Sequence, residues 1–145
     1  MAAILALVAT GCGDDPLGLD AIDDPDVEQF VTLMNEHRAT MGCPALAWNG
    51  EVAAVAQAHS GDMVDRDFFA HTNPDGDSPF DRLHDAGVSY SGAAENIAYG
   101  YHSAEAVLAG WLGSPGHRAN IENCSLTQHG VGLENSYWTH VFIRP

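Results

Sequence analysis

HGVGLENSYWTHVFIRP, residues 129–145, reads as two strands joined by a tight Glu-Asn-Ser turn. Strands adjacent in sequence and linked by so short a turn pair antiparallel. Immediately upstream, Ser114-Pro115 opens a short helix carrying His117 and Arg118, and Ser103 caps a helix that runs through Trp111. Before these, VSYSGAAENIAYGY (residues 88–101) is β-branched, aromatic and small, which favours a strand or extended segment. Helices thus flank a few strands, several of them late in the chain. The class is α+β, with a three-layer α-β-α sandwich around a central antiparallel sheet as the expected packing.

The first half is helical. Val27, Phe30, Val31, Met34 and Met41 follow helical spacing, with Asp26 as the expected N-cap and Gly42 as the stop. A second helix is expected from about Gly50 to Arg66, its buried stripe formed by Val52, Val55, Ala56, His59 and Met63. His59 on that face reads as a hydrogen-bonded core histidine rather than a ligand. Phe68 and Phe69 are expected to anchor the following turn in the core, and NPDGD is a tight turn. Its alternating acids do not make a calcium loop, because the glycine falls two places early and no distal glutamate follows. SPFDRLHDAG is a short helix with Ser78 as cap, Pro79 at the first position, Asp81 completing a capping box and Gly87 ending it.

One domain fits in 145 residues, and twenty acidic against five basic side chains give a net charge of −15. A phosphate backbone is repelled, which argues against nucleic acid as a partner. An apolar run from Met1 ends in LVATGC, too short to span a bilayer and similar to a bacterial lipobox in which Cys12 is acylated. No Lys or Arg precedes it, so the true start is expected upstream. Residues 1–12 are therefore expected to be a signal peptide and lipobox, 13–26 an acidic solvated tether, and 27–145 the folded domain. The expected location is extracellular or in the cell envelope, with the membrane reached only through the lipid anchor. In an oxidising compartment Cys43 and Cys124 are a candidate disulfide, the alternative being two separate buried thiols.

Three side chains stand out chemically. His71 in FFAHTNPDG, Glu95 in AAENIAYG and His117 in SPGHRANI could line one cleft and hold a divalent metal, polarise a water or bind a small polar ligand. With Glu95 the set would be a three-ligand site with an open position, as catalytic zinc prefers. Ser114 reads as the N-cap of the helix bearing His117, and LGSPG lacks the first glycine of a nucleophile elbow. A paired Cys43 would not serve as a nucleophile.

NEHR, AQAHSGDM, FFAHTNPDG, AAENIAYG, SPGHRANI after Trp111, and GVGL followed by YWTHVF occur in that order. Together they resemble the bacterial, SCP-like extracellular branch of the CAP superfamily, over roughly residues 27–145. The resemblance implies an α-β-α sandwich with a large cleft carrying two histidines and two acids, sometimes with zinc or another divalent ion. Its motifs place the histidines at His71 and His117 and the first acid at Glu95; the second acid falls at Ser114, a departure from the pattern. The function this implies is an exported, non-enzymatic binding module for a lipid, a small apolar molecule or a peptide, with or without a divalent metal. The alternatives are a metal-dependent hydrolase using Glu95 as base and a structural envelope protein.

Overall fold

The computed structural model describes residues 15–145. Its helices are α1 (Pro25–Thr40), α2 (Gly50–Asp65), α3 (Pro79–Asp85), α4 (Ala104–Leu112) and α5 (Pro115–Ile121). Its strands are β1 (Ala47–Trp48), β2 (Gly92–Tyr99), β3 (Gln128–Glu134) and β4 (Tyr137–Arg144), in the order β1-β3-β4-β2. The sheet is mixed rather than wholly antiparallel: β3, β4 and β2 run antiparallel, but the two-residue β1 joins β3 in parallel. So short a strand has no periodicity to read, and its backbone is held by long-range partners.

Side chains alternate across the sheet. Trp138 and Phe142 of β4 join Phe30, Val31 and Met34 of α1 and Val107 and Trp111 of α4 in one core. Val141 and Ile143 face the other way, onto Val52, Val55 and Ala56 of α2 and Leu83 of α3. Three layers result. On the second face β3 carries Gly130 and Gly132, whose missing side chains let α2 lie against the sheet backbone: a Cβ at either position would overlap main-chain atoms of Ala53 or Gln57.

The expected punctuation is largely present. Ser78 and Asp81 form the reciprocal capping box, Ser103 accepts from the Ala106 N–H, and Gly87 follows α3 with φ 76°. The β3–β4 turn is Asn135-Ser136, both left-handed at φ 44° and 64°, as a two-residue hairpin turn with the right twist requires.

Four expectations are corrected. The cap of α1 is Asp24, whose carboxylate accepts from the Asp26 and Val27 amides, with Pro25 rather than a later residue at the first position. Met41 lies past the helix end and is half-exposed. Phe69 is likewise exposed at 52%, while Phe68 packs its ring edge-on to His59. The described part of the acidic stretch, residues 15–26, is not a solvated tether: the Leu17 carbonyl accepts from Trp48, Leu19–Ala21 form a 3-10 turn, and Ile22 is in the core. Residues 1–14, including the lipobox and Cys12, lie outside the described residues. Among the described residues no helix is long and apolar enough to cross a membrane.

Cys43 and Cys124 are joined in a disulfide, with Cα atoms 4.8 Å apart. Nearby, the fully buried Arg38 of α1 donates to the carbonyls of Pro44, Ile121, Asn123 and Leu126. Bridge and guanidinium therefore tie the same two segments together.

Candidate functional site

β2 is an edge strand, and its consecutive residues Glu95 and Asn96 point to opposite faces of the sheet. Each organises one half of the site. The Glu95 side chain is only 2% exposed and spends both oxygens: Oε1 accepts from His71 Nδ1 at 2.9 Å and Oε2 from Arg82 Nη2 at 2.8 Å. Since a carboxylate only accepts, His71 Nδ1 carries the proton of this bond. Arg82 of α3 also donates to the carbonyls of His71 and Asp77, which fixes the loop on which His71 stands.

On the other side Asn96 donates to the His117 carbonyl at 3.1 Å and accepts from Asn120 at 2.8 Å, which clips α5 to the strand. Ser114 occupies the N-cap position of α5 but makes no capping bond; its Oγ lies 2.9 Å from His117 Nδ1. The cap reading of its side chain is thus corrected, because the hydroxyl is drawn to the imidazole three residues on. Burial, and secondarily His71, push the His117 pKa below its usual value. His117 is therefore mostly neutral at neutral pH.

His59 is a core histidine, as its position on the buried stripe of α2 requires. Its Nε2–H donates to the Ala70 carbonyl at 2.8 Å, next to His71, and burial pushes its pKa down although the Glu95 charge pulls the other way. His59 thus steadies the His71 loop from behind. Sequence reasoning missed Arg82, Asn96 and Asn120. Arg82 sits in a short amphipathic helix like any solvated cation. Asn96, directly beside Glu95 in a strand of period two, carried the signal that was available.

A cavity of about 310 Å3 opens beside His117, lined by Phe69, Ile97, Tyr99, Tyr101, Trp111 and Ser114 among others. Trp111 donates its indole N–H to the Ile97 carbonyl, and Tyr101 lies over Gly110, where a Cβ would strike its ring. Larger concavities occur elsewhere, one of about 490 Å3 between α2 and α3, but His117 lines none of them, and His71 lines neither these nor the 310 Å3 cavity.

The residues present do not fit a three-ligand metal site. Glu95 is committed on both oxygens, and among the described residues no group of three or more His, Cys, Asp or Glu side chains converges as metal ligands.

Fold and site together define a small α-β-α sandwich with an aromatic cavity at a sheet edge, lined by His117 but not by His71, which Glu95 holds. The chain belongs to the cysteine-rich secretory protein (CAP) family, whose model matches residues 31–142. It is 40% identical over 118 residues to the uncharacterized protein YkwD of Bacillus subtilis, covering 80% of this chain and 46% of that protein. To the uncharacterized membrane protein YlbC of the same organism it is 38% identical over 117 residues, or 81% and 34% of the two chains. Among solved structures, an extracellular SCP-domain protein of Bacillus anthracis superposes with a TM-score of 0.80 at 39% identity, over 83% of this chain and 40% of that one. The chain spans less than half the length of these relatives. An outer surface protein of Borrelia burgdorferi, at 21% identity and a TM-score of 0.75 over 82% and 92% of the two chains, shares the fold.

Proposed function

We propose that the domain is an exported ligand-binding module whose cleft takes the apolar or aromatic part of a small molecule, lipid or peptide. The observation that carries this reading is the aromatic cavity of about 310 Å3 with one polar end formed by Ser114 and His117. Its size is at the lower end for small-molecule sites, and convergent polar groups on an apolar wall are their usual design. Export is supported by the LVATGC signal pattern, by the disulfide and by the extracellular and surface relatives. Anchoring through an acylated Cys12 is part of the same proposal. A divalent ion, zinc included, would have the two imidazoles but not Glu95, so an organic ligand is favoured over a metal-dependent hydrolase.

The test is a titration of fatty acids, sterols and apolar peptides, read by tryptophan fluorescence and repeated on Ser114→Phe, which puts a ring into the cavity mouth. Saturable binding lost in the variant, with an unchanged melt, supports the reading. No binding from any of the three classes sinks it. Zinc titrated in parallel should bind wild type and Glu95→Gln equally and weakly; a zinc affinity that depends on Glu95 would restore the three-ligand metal site.

A further inference from the structure

Phe69, Tyr99 and Tyr137 form an aromatic corner at the rim of the cavity, where Phe69 and Tyr99 belong to the lining and Tyr137 stands outside it. Tyr99 and Tyr137 are the last cross-strand pair of β2 and β4, with ring centroids 4.3 Å apart, and the Phe69 ring stands 6.5 Å from that of Tyr137. Phe69 and Tyr99 are each more than half exposed, which is unusual for rings already in contact with others. Burial, then Tyr99 and last the charge of Asp67, which stands in a left-handed turn at φ 51°, hold the Tyr137 phenol above its usual pKa. Glu134 lies directly across the hairpin from Tyr137.

Resting on the binding-module reading, we propose that this corner recognises an organic cation, an ammonium or quaternary ammonium group seated over the Tyr99–Tyr137 stack. Electron-rich ring faces attract such a charge, and a desolvated approach strengthens the attraction. The chain's own cations do not fill the role. All five are arginines: Arg66 is paired with Asp62 and Asp75, Arg82 with Glu95 and Arg118 with Glu122, Arg38 is buried among carbonyls, and Arg144 donates to Ser91. His117, at the cavity's polar end, is neutral. The net charge of −15 draws cations and repels anions. A neutral apolar occupant would gain the burial of the rings but nothing from that field.

The experiment compares choline with its uncharged isostere 3,3-dimethyl-1-butanol on the full chain, following the ring protons of Tyr99 and Tyr137 by NMR. Choline should bind about tenfold more tightly than the isostere. Tyr99→Leu and Tyr137→Leu keep apolar bulk but remove the ring, and each should lower choline affinity about tenfold with an unchanged melt. Asp67→Asn should lower it a few-fold, and added salt should weaken binding. Equal affinity for the two compounds, abolished in Ser114→Phe, would overturn the cation proposal and leave the apolar-pocket reading standing. Shifts of the same rings by N-acetylglucosamine oligomers but not by choline would make the corner a saccharide platform and overturn it too. No shift with either compound also overturns it, while the titration of apolar ligands decides the pocket independently.

Discussion

Glu95 is the residue on which the site turns, because a carboxylate with so little exposure needs both of its partners. Leaving a buried charge half-paired costs about 3–5 kcal/mol. Arg82→Met should therefore destabilise the domain by roughly 3 kcal/mol, and the Arg82→Met/Glu95→Gln double variant should recover most of that loss. A double-mutant cycle in urea measures the coupling; additive single and double effects would show that Arg82 acts elsewhere. A second residue-scale consequence comes from the buried imidazoles. His129 Nδ1 and His140 Nε2 meet at 2.9 Å, both side chains fully buried, with His140 against Phe142 and Trp111. Burial pushes His129 down to about 3 and His140 well below its ordinary value, with Arg38 adding to both and His129 to His140. The folded values lie below the unfolded one, so the unfolded chain takes up protons first as pH falls below about 6.5. Stability is full above that pH and is lost as pH falls toward the folded values. Between about pH 7 and pH 5, where ordinary carboxylates stay mostly ionised, the pair should remove roughly 4 kcal/mol. Denaturant titrations across that window check the slope. A flat profile, or imidazole NMR signals with ordinary midpoints, would contradict it.

Elements were legible where their ends are written locally and obscure where a distant partner decides. Ser78-Pro79 with Asp81, Ser103, and the hairpin turn before Tyr137 are each recognised within a few residues, and each is found where local chemistry puts it. β1 is two residues paired to a strand some eighty positions later, and Phe69 is apolar yet half-exposed at the cavity rim. No local pattern distinguishes either. His71, Glu95 and His117 could be singled out by type and motif, but the choice of Arg82 as the partner of Glu95 depends on how α3 docks. The packing of α2 on β3 gives a test at this scale, because one substitution should have opposite signs on the two elements. Gly132→Ala drives a Cβ into the Gln57 main chain and should cost on the order of 3 kcal/mol as α2 is pushed off the sheet. Gly61→Ala, within α2 and with open space around its Cβ, should stabilise by about 0.5–1 kcal/mol through helix propensity. Urea midpoints of the two variants decide it; equal effects would mean that α2 does not lean on the strand backbone.

At the scale of the molecule, the question is what holds the sandwich's two ends of sequence together. Residues 15–26 close over Trp48 by way of Leu17 and Gly18, so the domain begins earlier than its acidic composition suggests. Acidic composition alone suggests solvation, whereas Ile22 and the Asp24 cap make the segment part of the fold. At the far side, the disulfide spans 81 residues, and closing a loop that long should stabilise by roughly 4.5 kcal/mol in the chain-entropy model. Arg38 links the same segments through four carbonyls, and removing the guanidinium would take a donor from each, with only that of Asn123 keeping a backbone partner, the Leu126 N–H. The two restraints are therefore redundant in position and should be coupled in energy. Reduction of wild type should lower stability by a few kcal/mol yet leave a folded domain, its loops still pinned by Arg38. In Arg38→Lys, which keeps the charge but loses the planar fork, the same reduction should bring the protein to the edge of unfolding at ambient temperature. The measurement is a denaturant titration of both proteins with and without reductant, with near-ultraviolet circular dichroism of Trp111 and Trp138 reporting the core. If reduction costs the two proteins the same, Arg38 and the bridge act independently, and the coupling inferred from their shared segments is wrong.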